Sequence, residues 1–417
     1  MSFYTSGNLK TEIIDPVYYN ENDRVEFRLD KGTIMNNLKL INLGVNGAGT
    51  PVYSPDAGVV SLIKNIHLYD GKVTLQSQFG ANSRYAFTQL QADNKYNSNI
   101  DRFLKRHEQG YSVVPSLAST FGKKVVSLYT DVLPTIPATD SGGNSSKGAV
   151  SIMELLPILK VLPVLPSSVF KQLRLVIEFE ADINKLVSKT DSAVTTIKPS
   201  LVVDRFVNEQ AEQSEISKLS NSIFMNYEKT QINIPASTAQ TETHKKVATF
   251  NNKLLNRLRL QYNFADSSKY VVSDVVKFRG IVGTSINCDN RTVQYRVNGE
   301  NVLPRSSLKG DMRRLAMNND VYGTLNMTPE MATSMITTGA RGGFIGLDND
   351  FHGVKDFDSV YIGKMVDDLQ ISITRNNITD TSDPSFYKDA LTCIVEGEIT
   401  KQINFGNGGY NIGYVSI

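Results

Sequence analysis

Glu396 and Glu398 stand two residues apart in the run Cys393-Ile-Val-Glu-Gly-Glu-Ile399, which puts both carboxylates on one face of a strand. Nothing in the sequence places two carboxylates across a cleft, and these two read as a solvated sheet face. A glutamate at an intersubunit contact is the functional alternative. The four histidines, His67, His107, His244 and His352, are far apart, with no H-x-H or H-E-x-x-H pairing, and a His-rich metal site is disfavoured. His67 lies inside an alternating run and reads as a packed or hydrogen-bonded histidine. Asp348-Asn-Asp350-Phe-His352-Gly353 opens like a calcium loop, but its twelfth position is Ser359 where a bidentate Glu is needed. A turn with hydrated carboxylates is the better reading. The sequence has no phosphate loop, no dinucleotide-binding glycine fingerprint and no G-x-S-x-G elbow. It therefore gives no catalytic residue, no cofactor-binding residue and no metal ligand, and the expectation is a non-enzyme without cofactors.

The bulk composition narrows the class further. Lys and Arg number 44 against 42 Asp and Glu, a formal charge of +2, with both signs mixed along the chain. A body that grips nucleic acid carries a basic excess or stripe, so direct sequence-specific nucleic-acid binding is not expected. Cys288 and Cys393 are the only cysteines, which gives no disulfide framework and suggests two free thiols in a reducing compartment. The sequons at Asn144, Asn290, Asn326 and Asn377 then follow simply from an Asn-rich chain. No secretory signal opens the sequence, and the most apolar stretch, Met153 to Phe170, is broken by Pro157, Lys160, Pro163 and Pro166, so it is not a transmembrane helix. Whether a membrane is a partner stays open.

Elements that would carry these residues are mostly strands. Ile66-His-Leu-Tyr-Asp70-Gly71-Lys-Val-Thr-Leu75 is a hairpin pattern centred on Asp-Gly, and Val293-Gln-Tyr-Arg-Val-Asn298-Gly299-Glu-Asn-Val-Leu303 repeats it with Asn-Gly. Each is followed by an alternating strand, Leu173 to Phe179 and Leu369 to Arg375, then by another, Leu201 to Val207 and Cys393 to Ile399. The same landmarks thus recur in the same order at spacings of roughly 200 residues, the size of one β-sandwich or barrel. Residues 1–20 lack periodicity and read as an arm. Ala81 to Asp93 and Ser98 to His107 read as surface helices, as do short pieces at Met312 to Met317 and Pro329 to Ile336. Ala138 to Gly148 and Phe344 to Asp358 read as loops, and Val275 to Ile286 as a strand pair. Asn208 to Asn221, with Glu209, Glu212, Glu215 and Lys218 at helical spacing, reads as an exposed linker helix.

Glu154-Leu-Leu-Pro-Ile-Leu-Lys160, followed by Leu173-Arg-Leu-Val-Ile-Glu178, resembles the double jelly-roll major capsid proteins of Polinton-like viruses, virophages and adintoviruses. The resemblance extends to the Val293 to Gly299 hairpin, to Leu369-Gln-Ile-Ser-Ile-Thr-Arg375, and to Val395-Glu-Gly-Glu-Ile-Thr-Lys401 with the Gly-rich Gly406 to Tyr410 after it. The first 55 residues and the Ala138 to Gly148 loop match nothing in that family's pattern. What the resemblance implies is an all-β tandem double jelly roll of two eight-stranded sandwiches. The arm is then 1–20, the first roll 21–208, the linker helix 209–222 and the second roll 223–417. It further implies a structural subunit that forms homotrimeric, pseudo-hexameric capsomers of an icosahedral DNA virus shell. Its partners would be neighbouring capsomers, a penton protein and minor capsid proteins, and its place the virion, assembled inside the host cell. The alternative from another class is a carbohydrate-binding, lectin-like jelly roll. A further rival, a cupin-like enzyme, is opposed by the scattered histidines.

Overall fold

The structure is a computed structural model that describes residues 2–47, 52–53, 59–82, 84–85, 147–180, 187–188, 194–265, 291–302, 357–375, 389–406 and 409–415. Before residue 207 the chain lays down β1 (Leu9–Ile14), β2 (Arg24–Arg28), β3 (Lys39–Gly47), β4 (Ile63–Asp70), β5 (Val73–Phe79), β6 (Lys147–Ser151), β7 (Leu173–Phe179) and β8 (Ser200–Phe206). After residue 221 it repeats the series with β9 (Ser222–Ile234), β10 (Thr241–Lys246), β11 (Lys253–Phe264), β12 (Arg291–Val297), β13 (Glu300–Asn301), β14 (Phe357–Val366), β15 (Leu369–Arg375) and β16 (Leu391–Gly406). A last strand, β17 (Gly409–Tyr414), folds back on β16.

Pairing makes the repetition concrete. In the first half β1-β8-β3-β6 run through an antiparallel sheet of eight described strands and β2-β7-β4-β5 through one of five. In the second half the sheets are β9-β16-β11-β14 and β10-β15-β12-β13. Each strand of the first set has its counterpart eight labels later, in the same place in the same sheet. Two facing sheets that share these four-strand runs are a jelly roll. The molecule is therefore a double jelly roll, and no described sheet mixes strands from the two sides of residues 207–221.

Period-two burial explains why these runs became strands. Leu173, Leu175, Ile177 and Phe179 are buried on one face of β7, while Arg174 and Glu178 on the other are partly exposed. Leu369, Ile371 and Ile373 do the same on β15. The Pro-broken stretch forms two single turns of helix, α1 (Ile152–Leu155) and α2 (Ile158–Val161), separated by Pro157. Ile152, Leu155, Ile158 and Leu159 are buried beneath them. The exposed helix α3 (Glu209–Ile216) begins at Asn208, whose Oδ1 accepts from the amides of Gln210 and Ala211 at 3.0 and 3.2 Å. Glu209 and Glu212 in its first turn suit the positive end of the helix dipole.

Several sequence expectations need correction. The residues read as an arm are sheet: Ser2–Ser6 pairs with β1, β1 pairs with β8, and Tyr18–Asn20 pairs with β2. Backbone pairing, supplied by a strand some 190 residues away, made up for the missing local periodicity. Ser222, placed in the linker, already belongs to β9. Lys147 and Gly148 belong to β6, and Phe357 and Asp358 to β14, so both loops end earlier than read. The remainder of those loops, 98–107, 275–286, 312–317 and 329–336 lie outside the described residues, as do the four sequon asparagines.

The two hairpins also differ in their turns. Asn298 and Gly299 both have positive φ (52° and 83°), as a type I′ turn requires. In the first hairpin Asp70 still pairs with Val73, so the turn residues are Gly71 and Lys72, with Gly71 at φ 59°. That is the position a type II′ turn reserves for glycine. A Cβ on Gly71 would also lie 3.1 Å from Oε1 of Gln172. Gly71→Ala is therefore expected to lower stability by about 1 kcal/mol, measured by urea unfolding with an unchanged m-value.

Candidate functional site: the charged seam between the rolls

Where the rolls meet, the edge strand β5 of the first lies along the edge strand β9 of the second. Gln76, buried on β5, donates from Nε2 to the carbonyl of Met225 on β9 (2.9 Å) and accepts at Oε1 from the amide of Ile158 at the start of α2 (2.8 Å). One amide thus ties three elements. Four residues further on, Lys229 Nζ reaches the carbonyl of Gly80 at 3.5 Å. Gly80 has φ 59° and turns the chain out of β5 into a helical turn that carries Arg84 to the seam.

Arg84 meets the second roll at three groups. Its guanidinium lies 3.6 Å from the centroid of Tyr227, with Nη1 3.5 Å from Glu396 Oε1 and Nη2 3.7 Å from Glu398 Oε2. Glu396 is also approached by Arg259 of β11 (3.1 Å) and by Lys229 of β9 (3.1 Å, an ion pair short of hydrogen-bond alignment). Arg257 stands 3.8 Å from Glu398. The pairing register explains the convergence, because Glu396 lies opposite Lys229 on one side and Arg259 on the other, and Glu398 opposite Tyr227 and Arg257.

The electrostatics follow from burial. Burial by itself would raise the Glu396 carboxyl, but Arg259, Lys229 and Arg84 together hold it down to about 2. Burial lowers Lys229 and raises Tyr227, with Glu396 and Arg84 respectively pulling the other way. At neutral pH Glu396 is an anion enclosed by cations, and this cluster ties the two rolls together.

A second contact closes the seam at its far end. Tyr410 of β17 donates to Asp70 Oδ2 (2.8 Å), while Asp70 Oδ1 accepts from the amide of Gln172 (2.6 Å). Phe170 lies under Tyr410 and Phe405, with ring centroids 4.9 and 6.4 Å apart.

No protein-family model matches the chain, and no curated protein sequence does either. Solved structures do. The Sputnik virophage structure by cryo-EM aligns with a TM-score of 0.58 at 10% identity, covering 97% of this chain and 88% of that one. A quasi-atomic description of the PBCV-1 virus capsid gives 0.55 at 11% identity, and PBCV-1 VP54 fitted into a reconstruction of Sputnik gives 0.54 at 11%; both cover 99% of this chain and 98% of theirs. The fold is that of the double jelly-roll capsid proteins.

Within this double jelly roll the residues singled out in the sequence fall in different places. Glu396 and Glu398 do share a face, but it is not a solvated one: they are 3% and 7% exposed, with Arg84 of the first roll and Lys229, Arg257 and Arg259 of their own sheet closing over them. His67 is packed, as read, with Nδ1 2.8 Å from Ser77 Oγ and its ring stacked on Tyr69 and edged by Phe79. Burial lowers its pKa and Glu178 opposes that. His244 is exposed beside Ser372, and Cys393 is buried in the second core. His107, His352, Cys288 and the Asp348 to Ser359 stretch lie outside the described residues. Among the described residues there is no group of three or more potential metal ligands, and no helix long and apolar enough to cross a membrane. Sequence reading missed Arg84, which it placed on a surface helix, and it missed Lys229, Tyr227, Arg259 and Gln76 altogether. Their one signal is cross-strand register, which a single sequence does not display.

Proposed function

We propose that the protein is the major capsid subunit of an icosahedral DNA virus, and that it assembles as a homotrimer. The observation that carries this reading is the strand-for-strand repetition of one jelly roll within a single chain, with the two copies locked by a buried charged seam. Three such chains present six similar β-units, so a three-fold object can occupy a six-fold lattice position. Surface loops at the roll ends are free to vary without disturbing the sheets. A formal charge of +2 on 417 residues suits dense packing against copies of itself, since a strong like charge would oppose assembly. In this reading the chain acts through its surfaces and performs no chemistry. Its neighbours are other capsomers, a penton protein at the vertices and minor capsid proteins, and it resides in the virion after assembly in the host cell. The two units that repeat, 21–208 and 223–417, are proposed as the tile's two domains, with 2–20 contributing strands to the first.

Native mass spectrometry of the purified protein should show a species near three times the 46.2 kDa chain. Negative-stain images should show a pseudo-hexagonal outline. Monomer alone at micromolar concentration would overturn the reading, and monomer that binds a glycan array would replace it with the carbohydrate-binding alternative.

A further inference from the structure

Of the two hydrophobic cores among the described residues, one is built from its own roll and the other is not. Among the described residues the second core runs from Ile232 to Ile399 and draws every member from the second roll. The first core gathers Val25 through Val203, but it also contains Phe224 of β9 and Ile403 of β16, both buried. Phe405, Tyr410 and Ile412 of the β16–β17 hairpin pack against it as well. Phe170, wholly buried, owes part of its cover to Phe405 and Tyr410, and the hydroxyl of Tyr410 fixes the Asp70 end of the first hairpin.

We propose that the C-terminal β16–β17 hairpin, together with Phe224, is a clasp on which the first roll depends to complete its core, whereas the second roll stands on its own contacts. The asymmetry has a physical basis. Taking the first roll away would expose Glu396, Glu398, Lys229, Arg259 and Tyr227, groups that water solvates readily. Taking the clasp away would open the first core around Phe170 to water, an apolar surface with no such compensation. The dependence therefore runs one way. The clasp follows the whole first roll in the sequence, so the first roll, made earlier, is completed only once the clasp has been made. A chain that stops short of the clasp then lacks a finished first roll and cannot offer it to a neighbour.

Hydrogen exchange on the full-length protein, read segment by segment by mass spectrometry, tests this. In Phe405→Ala/Tyr410→Ala, protection of Ile66–Leu68 and Leu173–Ile177 should fall about tenfold or more, while that of Val293–Val297 and Leu369–Ile373 stays within about twofold of wild type. Leu175→Ala should loosen the first roll alone. Ile371→Ala, in the second core, should loosen both, because the clasp then loses its anchor. Equal loosening of both rolls by Leu175→Ala, or unchanged first-roll protection in the double variant, would overturn the proposal. If the double variant is insoluble, Tyr410→Phe removes only the hydrogen bond to Asp70. It should speed exchange around 66–72 and 170–173 and leave Leu369–Ile373 alone, and no change at either place counts against the clasp. Variant and wild type are compared in the same oligomeric state, whichever that is, so failure of this test and failure of the capsid reading are distinguishable.

Discussion

Leu175→Asp is expected to yield no folded protein. Leu175 is fully buried at the centre of β7, opposite Phe27 on β2 and Leu68 on β4, so the new carboxylate would sit in the middle of the first core. The arginines buried among the described residues, Arg259 and Arg375, belong to the second roll, and the residues clustered in the first core are aliphatic and aromatic. Burying an unpaired charge, or the proton uptake needed to avoid it, costs more than about 5 kcal/mol. Total stability is typically about 5–15 kcal/mol, so the loss is decisive. Glu178→Gln is the matched control three residues along the same strand. Glu178 is partly exposed, accepts from Asn65 Nδ2 at 2.6 Å, and lies 3.8 Å from His67. A glutamine keeps the shape and one acceptor, so folding should survive with a change within about 1 kcal/mol. Circular dichroism and soluble yield distinguish the pair. A folded Leu175→Asp protein would mean that β7 does not face the core as described. Loss of a measurable enzymatic turnover in Glu178→Gln would overturn the structural reading itself.

How much of this was legible depended on range. β7 and β15 were readable because alternation is a local consequence of one buried face, and Leu173-Arg-Leu-Val-Ile-Glu-Phe179 states it within seven residues. Asn298-Gly299 was readable because a type I′ turn demands two residues that tolerate positive φ. β1 was not, because Leu9–Ile14 is intermediate in burial at every position and becomes a strand through its ladder with β8. The turn at Asp70-Gly71 was placed one residue early: a β-bulge between Leu68 and Tyr69 shifts the register there. The seam was the least legible part. That Glu396 and Glu398 share a face follows from period two, but whether that face meets water or the other roll is a tertiary fact. Both faces of β16 are buried from Val395 to Thr400, one by its own core and one by the charged seam to which the first roll contributes Arg84. A lone sequence shows only the first kind of partner. Charged residues in the middle of a strand whose other face is apolar were the available hint, and a solvated face explains the same pattern.

Glu396→Gln is expected to destabilise the protein by about 3–5 kcal/mol at pH 7. The substitution preserves size and leaves Arg84, Lys229 and Arg259 around a neutral amide, so the cations keep their desolvation cost and lose the attraction that offsets it. Loss of a partner, more than loss of a contact, sets the size of the effect. Two consequences separate this from a merely local packing defect. Removing a cation at the same time should restore part of the loss, so Lys229→Gln/Glu396→Gln should be less destabilised than the two single changes added together. The acid limb should also change. In the wild type the Glu396 carboxyl is held from its ordinary 4.5 down to about 2, so its contribution is fully present above pH 4.5 and is lost as pH falls from 4.5 toward 2. That contribution is on the order of 3 kcal/mol, in line with the effect expected of the substitution at neutral pH. Stability of the variant should therefore fall less steeply than wild type across that interval, and the two curves should converge near pH 2. Urea midpoints measured at several pH values decide it. Parallel curves over the whole range would mean that the seam is held by packing and that Glu396 is a bystander.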